Sequence, residues 1–239
     1  YINRLKIKQR SSEFEQKLLL SQMNPHFIYN SLSAIQNYMF ANRPIEAGNY
    51  LSDFSRLMRL ILENSRSKEI LLSKELQSLR FYLELQKLRF SEKFDYEIVV
   101  PEDINGNIIY IAPMLIQPFV ENSIEHGIQY KEGKGFISLT LRLEGSFAVF
   151  EIVDDGVGIE KSKEINSAKS ELRHSQSTQI TQERIELLSK RKQGKTSIEI
   201  IDRQVTEGVS GTRVIVKIPY RVEAESKLTR QRSNKHSKL

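Results

Sequence analysis

Residues 83–101 read Leu-Glu-Leu-Gln-Lys-Leu-Arg-Phe-Ser-Glu-Lys-Phe-Asp-Tyr-Glu-Ile-Val-Val-Pro, and within this stretch the chain changes period. Up to Lys93 the apolar residues keep helical spacing, with Leu76, Leu79, Leu83 and Phe90 on the side of a helix that Ser73 can cap. Beyond Lys93, Phe94, Tyr96, Ile98 and Val100 recur at every second position until Pro101, the mark of a strand. The switch predicts a helical region over 1–93, a mixed α/β domain over 94–220, and a basic, disordered tail over 221–239.

Upstream, Pro44 can open a helix on which Ala47, Leu51, Phe54, Met58 and Ile61 step by 4, 3, 4 and 3, the spacing of a bundle seam. Before it, residues 22–37 read Gln-Met-Asn-Pro-His-Phe-Ile-Tyr-Asn-Ser-Leu-Ser-Ala-Ile-Gln-Asn. At helical spacing His26, Asn30, Ser33 and Asn37 form a polar stripe, and Ile28, Leu32, Ile35 and Met39 an apolar one. Pro25 either opens this helix or kinks a longer one, which puts His26 beside accessible backbone. An imidazole is mostly neutral at pH 7 and can serve as a nucleophile without a strong base. Such amphipathic helices need each other or a second copy of the chain, so the expectation is a helical hairpin that dimerises into a bundle.

Downstream, Ile137, Leu139, Leu141 and Leu143 alternate into a turn at Gly145-Ser146 and a second strand, Phe147–Val153. A last hairpin is expected from 196–203 and 212–219, with helices over 113–127 and about 181–192 on one face of the sheet. The polar stretch 160–179 reads as a lid or long loop.

Composition narrows the function classes. With 239 residues and 39% apolar content the chain can bury a real core, and it has no cysteine, which removes disulfides and thiolate chemistry. The net charge is +6, but residues 1–10 and 221–239 carry +4 each, so the body is left at −2 and offers no footprint for nucleic acid. A basic start suits either a solvated arm or a segment just inside a cytoplasmic membrane. The chain opens on Tyr1 and reads as an excised piece of a longer protein.

Three segments of the second domain carry chemistry. On the helix at 113–127, Glu121 and Glu125 share one stripe while Asn122 and His126 share another, and an amide oxygen or carboxylate suits Mg²⁺. Val153-Asp154-Asp155-Gly156-Val157-Gly158-Ile159 follows a strand, with glycines that admit a ligand and an acid able to accept from an amino group. Gly208-Val209-Ser210-Gly211-Thr212 opens the final strand.

In this order the set resembles the Bergerat ATP-binding domain shared by gyrase-type, Hsp90-type and MutL-type ATPases and by histidine kinases. The segment Gln22–Asn30, together with Tyr82-Leu83-Glu84-Leu85-Gln86 and Leu88-Arg89-Phe90, is similar to the LytS-like sensor histidine kinases. The resemblance covers about residues 15–220 and implies an α + α/β architecture: a helical dimerisation and phosphoacceptor region followed by a Bergerat-type α/β sandwich. It implies ATP and Mg²⁺, with His26 as phosphoacceptor, Asn122 on the metal, and Glu121 and His126 beside it. Asp154 would take the adenine amino group with Thr212 in support, while Gly156 and Gly158 shape the pocket. Phe27 stands where other kinase branches carry an acid, leaving Glu121 as the candidate polarising group. Ser177 stands at a glycine position of the family's lid. The implied function is ATP-dependent autophosphorylation of His26 followed by transfer to a response-regulator aspartate. Implied partners are a second copy of the chain, an upstream membrane sensor and a regulator, of the LytTR type by family habit, with the chain on the cytoplasmic face of a membrane. The competing reading is a signalling scaffold with a degenerate lid; a plain ATPase would not need the Asn-Pro-His segment.

Overall fold

In a computed structural model the described residues are 25–65, 67–167 and 196–223. Two helices, α1 (Pro25–Phe40) and α2 (Pro44–Ser65), form the expected hairpin and lead through β1 (Ile70–Leu71) into α3 (Leu72–Arg89). Then follow β2 (Phe94–Val99), β3 (Ile109–Ile111), α4 (Gln117–Asn122), a π turn (Ser123–Gly127) and a 3-10 turn (Ile128–Tyr130). The remainder is β4 (Gly135–Glu144), β5 (Phe147–Asp154), α5 (Ile159–Ser167), β6 (Ser197–Asp202), the short α6 (Arg203–Thr206), β7 (Thr212–Pro219) and β8 (Arg221–Val222). The fold class is the helical region plus α/β domain that the sequence predicts. Among the described residues no helix is long and apolar enough to cross a membrane.

The main sheet has the order β2-β4-β5-β7-β6. Its β2-β4 pair is parallel and its other pairs antiparallel. Ile137, Leu139 and Leu141 of β4, Ala148, Phe150 and Ile152 of β5, and Val214, Val216 and Ile218 of β7 supply its buried face. Such alternation is what a sheet covered on one side requires.

Helix α3 is the spine between this core and the hairpin. It buries nine of its 18 residues on one broad face, including Glu75, Ser78 and Gln86, and each of these polar side chains is bonded inside the protein. Glu75 Oε2 accepts the Met114 N–H (3.0 Å), Asn64 donates to Ser78 Oγ (3.2 Å), and Gln86 Nε2 donates to the Tyr82 hydroxyl (2.7 Å). Satisfying buried polar atoms in this way avoids a desolvation cost of about 1–3 kcal/mol apiece. The helix starts one residue before the expected Ser73 cap, with Leu71 at the cap position and no side-chain cap.

Several expectations change. The buried side of α1 is Phe27, Ser31 and Ala34, whereas Leu32 and Met39 are exposed. The reason is aromatic: the Phe27 ring packs 5.2 Å from Tyr82 and 6.0 Å from Phe54, which turns the helix away from the simple apolar stripe. On α2 the buried residues are Ala47, Tyr50, Leu57, Ile61 and Asn64, and Leu51 is exposed. The helix expected to open at Pro113 starts at Gln117, because Met114 sits at φ 57° with its N–H tied to Glu75. It also does not stop at Gly127 but runs through the π and 3-10 turns to Tyr130. Residues 159–167 of the expected lid are helical, and the rest of that segment, with Ser177 and the helix at 181–192, lies outside the described residues, as does residue 24 before Pro25. The tail does not begin at 221, since Arg221 and Val222 pair with Tyr110 and Ile109 of β3. Because β1 pairs with the other edge of β3, a small sheet β1-β3-β8 bridges the boundary expected at 93/94.

Truncating the Phe27 ring should be costly. Phe27→Ala is expected to lower unfolding stability by about 3 kcal/mol, read from urea denaturation of the whole chain.

Candidate functional site

Asp154 ends β5 with 1% of its surface exposed, and its carboxylate is the centre of the site. Oδ1 accepts the backbone N–H of Gly156 at 2.9 Å and that of Thr212 at 3.2 Å, and Ser123 donates from its side chain. Burial raises the carboxyl pKa to about 6, against the pull of these donors, which favour the ionised form. The chain can pack this tightly only at glycine. A Cβ on Gly156 would lie 2.5 Å from Gly127 backbone, and one on Gly211, at φ +124°, would lie 2.0 Å from the Asp154 carbonyl oxygen.

A cavity of about 400 Å³ opens beside Asp154. Asn122, His126, Asp154, Gly158 and Thr212 line it together with the apolar Phe119, Ile200 and Val214. The volume lies in the range of small-molecule sites, and convergent polar groups against apolar walls are what such sites use for orientation. Among the sequence candidates, the structure therefore brings together Asn122, His126, Asp154, Gly158 and Thr212. Gly156 works from beneath, as the close-packing residue.

His26 stands in the first turn of α1 with its side chain 54% exposed. Its Nδ1 lies 3.2 Å from Oε1 of Glu125, a side chain only 16% exposed. The Asn30 amide nitrogen is 3.1 Å from both ring nitrogens. Thus the stripe of Asn122 and His126 faces the cavity, and the other stripe sends Glu125 to His26. Glu121, the expected polarising acid, instead accepts from Gln117 Nε2 at 2.9 Å and is absent from the cavity wall.

Other residues of the site were not singled out from the sequence. Asp202 accepts from the N–H groups of Ile159 (2.9 Å) and Glu160 (3.3 Å) at the start of α5, and from Gln204 (2.9 Å) at the start of α6. An aspartate closing an alternating strand before a helical turn is the signal that could have revealed it. Arg203 donates to the Asp154 carbonyl at 3.1 Å, and Asp155 takes the Phe136 N–H (2.7 Å) and pairs with Lys131 (2.7 Å). These contacts fix the strand ends around the cavity.

Helices bearing a half-exposed histidine are thus joined to a mixed-sheet domain with a cavity built on a buried aspartate. Residues 14–94 match the family model described as histidine kinase. The sensor histidine kinase YpdA of Escherichia coli K12 is 32% identical over 154 residues, 64% of this chain and 26% of that protein. The sensor histidine kinase/phosphatase LytS of Staphylococcus aureus MRSA252 is 31% identical over 212 residues, 88% of this chain and 35% of that protein. Among solved structures, the mycobacterial sensor histidine kinase MprB aligns at a TM-score of 0.44 with 15% identity, over 64% of this chain and 99% of that one. Along most of its length the chain is similar to LytS-like sensor histidine kinases, and it spans about a quarter to a third of the length of these two curated relatives.

Asp154 also ties stability to pH. Its folded-state pKa of about 6 exceeds the ordinary 3.8, so the folded protein holds this proton more tightly than the unfolded chain, and stability falls as pH rises from about 4 to about 6. Asp154→Asn keeps an acceptor and has no charge to bury. Its stability relative to the parent chain should improve by roughly 3 kcal/mol between pH 4 and pH 7, read from denaturant midpoints.

Proposed function

We propose that this chain is the kinase portion of a two-component sensor protein, in which ATP bound in the cavity phosphorylates His26 and the phosphoryl group then passes to a response-regulator aspartate. The observation that carries the reading is that one short segment, residues 122–126, lines the cavity with Asn122 and His126 and touches His26 with Glu125. Phosphoryl transfer asks a protein mainly for alignment and charge neutralisation, and this segment links the two reacting centres.

ATP is the substrate in this reading. The Asp154 carboxylate, with its oxygens directed by backbone donors, accepts from the adenine amino group, and Thr212 keeps it in place. The apolar Phe119, Ile200 and Val214 suit the faces of a purine. Mg²⁺ would be held by the Asn122 amide oxygen with His126 beside it. Among the described residues no group of three or more His, Asp or Glu side chains gathers as a metal cage, and this fits an ion carried mostly by phosphates and water. When bound, it neutralises charge on the phosphates. The exposed apolar residues Leu32, Met39, Leu51 and Leu62 on the hairpin support homodimerisation. The family relationship supports a regulator partner, of the LytTR type, and an upstream membrane sensor that places this portion on the cytoplasmic face.

The whole chain incubated with γ-labelled ATP and Mg²⁺ should take up acid-labile label. His26→Gln should take up none, and Asn122→Ala should be labelled about 100-fold more slowly. Asp154→Asn should bind ATP roughly 10-fold or more weakly by calorimetric titration. No binding at millimolar ATP would instead favour a non-enzymatic scaffold.

A further inference from the structure

Phe27 leaves His26 without an acid next to it in the chain, and the fold supplies one from 99 residues away. We propose that Glu125 takes the Nδ1 proton of His26 and thereby makes Nε2 the atom that is phosphorylated, an inference that rests on the kinase reading above. An ionised carboxylate only accepts hydrogen bonds, so the contact between Glu125 Oε1 and His26 Nδ1 requires the proton on Nδ1. The Asn30 amide is equally near both ring nitrogens and can donate only to the one with a free lone pair, which is then Nε2. The Glu125 contact selects this tautomer, and the equidistant Asn30 amide fits it.

Placement supports the role. Glu125 lies on the π turn whose neighbours Ser123, Ile124 and Gly127 are buried, so its backbone is held by the core while the His26 ring stays accessible. A side chain anchored in this way can hold the ring orientation without moving with it. In the step, the Nε2 lone pair forms the bond to the γ-phosphorus of ATP, and the bond from that phosphorus to the bridging oxygen breaks. The electron pair leaves with ADP, and the Nδ1 proton passes to the Glu125 carboxylate, leaving a neutral phosphoimidazole and a protonated Glu125.

The test uses the whole chain, its Glu125→Gln and Glu125→Asp variants, labelled ATP with Mg²⁺, and nitrogen NMR of the His26 ring. Glu125→Gln should bind ATP within about twofold of the parent yet be labelled roughly 100-fold more slowly, and Glu125→Asp should recover at least tenfold of that loss. The parent ring should show the proton on Nδ1, the Gln variant should gain the Nε2-protonated form, and phosphorus-nitrogen coupling should place the phosphoryl group on Nε2. Equal labelling rates for parent and Glu125→Gln, or a phosphoryl group on Nδ1, overturns the inference while the kinase reading stands. A parent chain that takes up no label overturns the kinase reading instead, and the tautomer spectra still decide whether Glu125 holds Nδ1. If Glu125→Gln unfolds, the parent spectrum and the Asp variant carry the decision.

Discussion

A carboxylate with almost no access to water ties together the strand ends around the cavity of the α/β domain. Asp154 ends one strand, accepts from the first residue of another and from the turn it begins, and takes a side-chain donor from the π turn. Gly156 and Gly211 stand where a side chain would collide with these segments. Strand ends β5 and β7, the turn after β5 and the end of the α4 segment are therefore fixed around one charge. The cavity wall inherits that order, since Asn122, His126 and Thr212 belong to the same pieces of chain. Burying the charge is unfavourable in itself. The donors from Gly156, Thr212 and Ser123 offset that cost.

A second constraint runs through α3. The buried face of a helix is ordinarily apolar. This one keeps Glu75, Ser78 and Gln86 inside, each tied to a different neighbour: the approach to α4, the hairpin helix α2, and its own Tyr82. Tyr82 in turn packs on Phe27, one residue from His26. The orientation of the histidine segment is thus linked to the α/β domain by packing as well as by the Glu125 contact.

Much of this was legible in the sequence. The switch of period after Lys93 marked the start of β2, and the strands at 137–143 and 147–153, with the hairpin 197–202 and 212–219, followed from alternation. Asn122, His126, Asp154, Gly158 and Thr212, which line one cavity, could be singled out because their pattern is local: an amide or imidazole on a helix stripe, or an acid and glycine at a strand end. The misread helix faces have a common cause. Leu51 and Leu32 fit an apolar stripe as well as Tyr50 and Phe27 do, and only the tertiary aromatic contacts decide between them. Glu121 and Glu125 share a stripe, so spacing cannot say which reaches His26; that depends on how α1 docks. The start of α4 was displaced because Glu75, 39 residues earlier, captures the Met114 N–H.

The small sheet β1-β3-β8 has a topological consequence. Leu71 and Arg221 pair with Tyr110 from its two sides, two strand spacings or about 10 Å apart. The intervening residues, about 150, therefore form a loop of chain whose entrance and exit are stitched side by side. A unit closed in this manner can be joined to different neighbours without rearranging its interior. Torque from the hairpin can reach the cavity through that edge, through the packing of α1 and α2 on α3, or across the face where α1 meets the π turn.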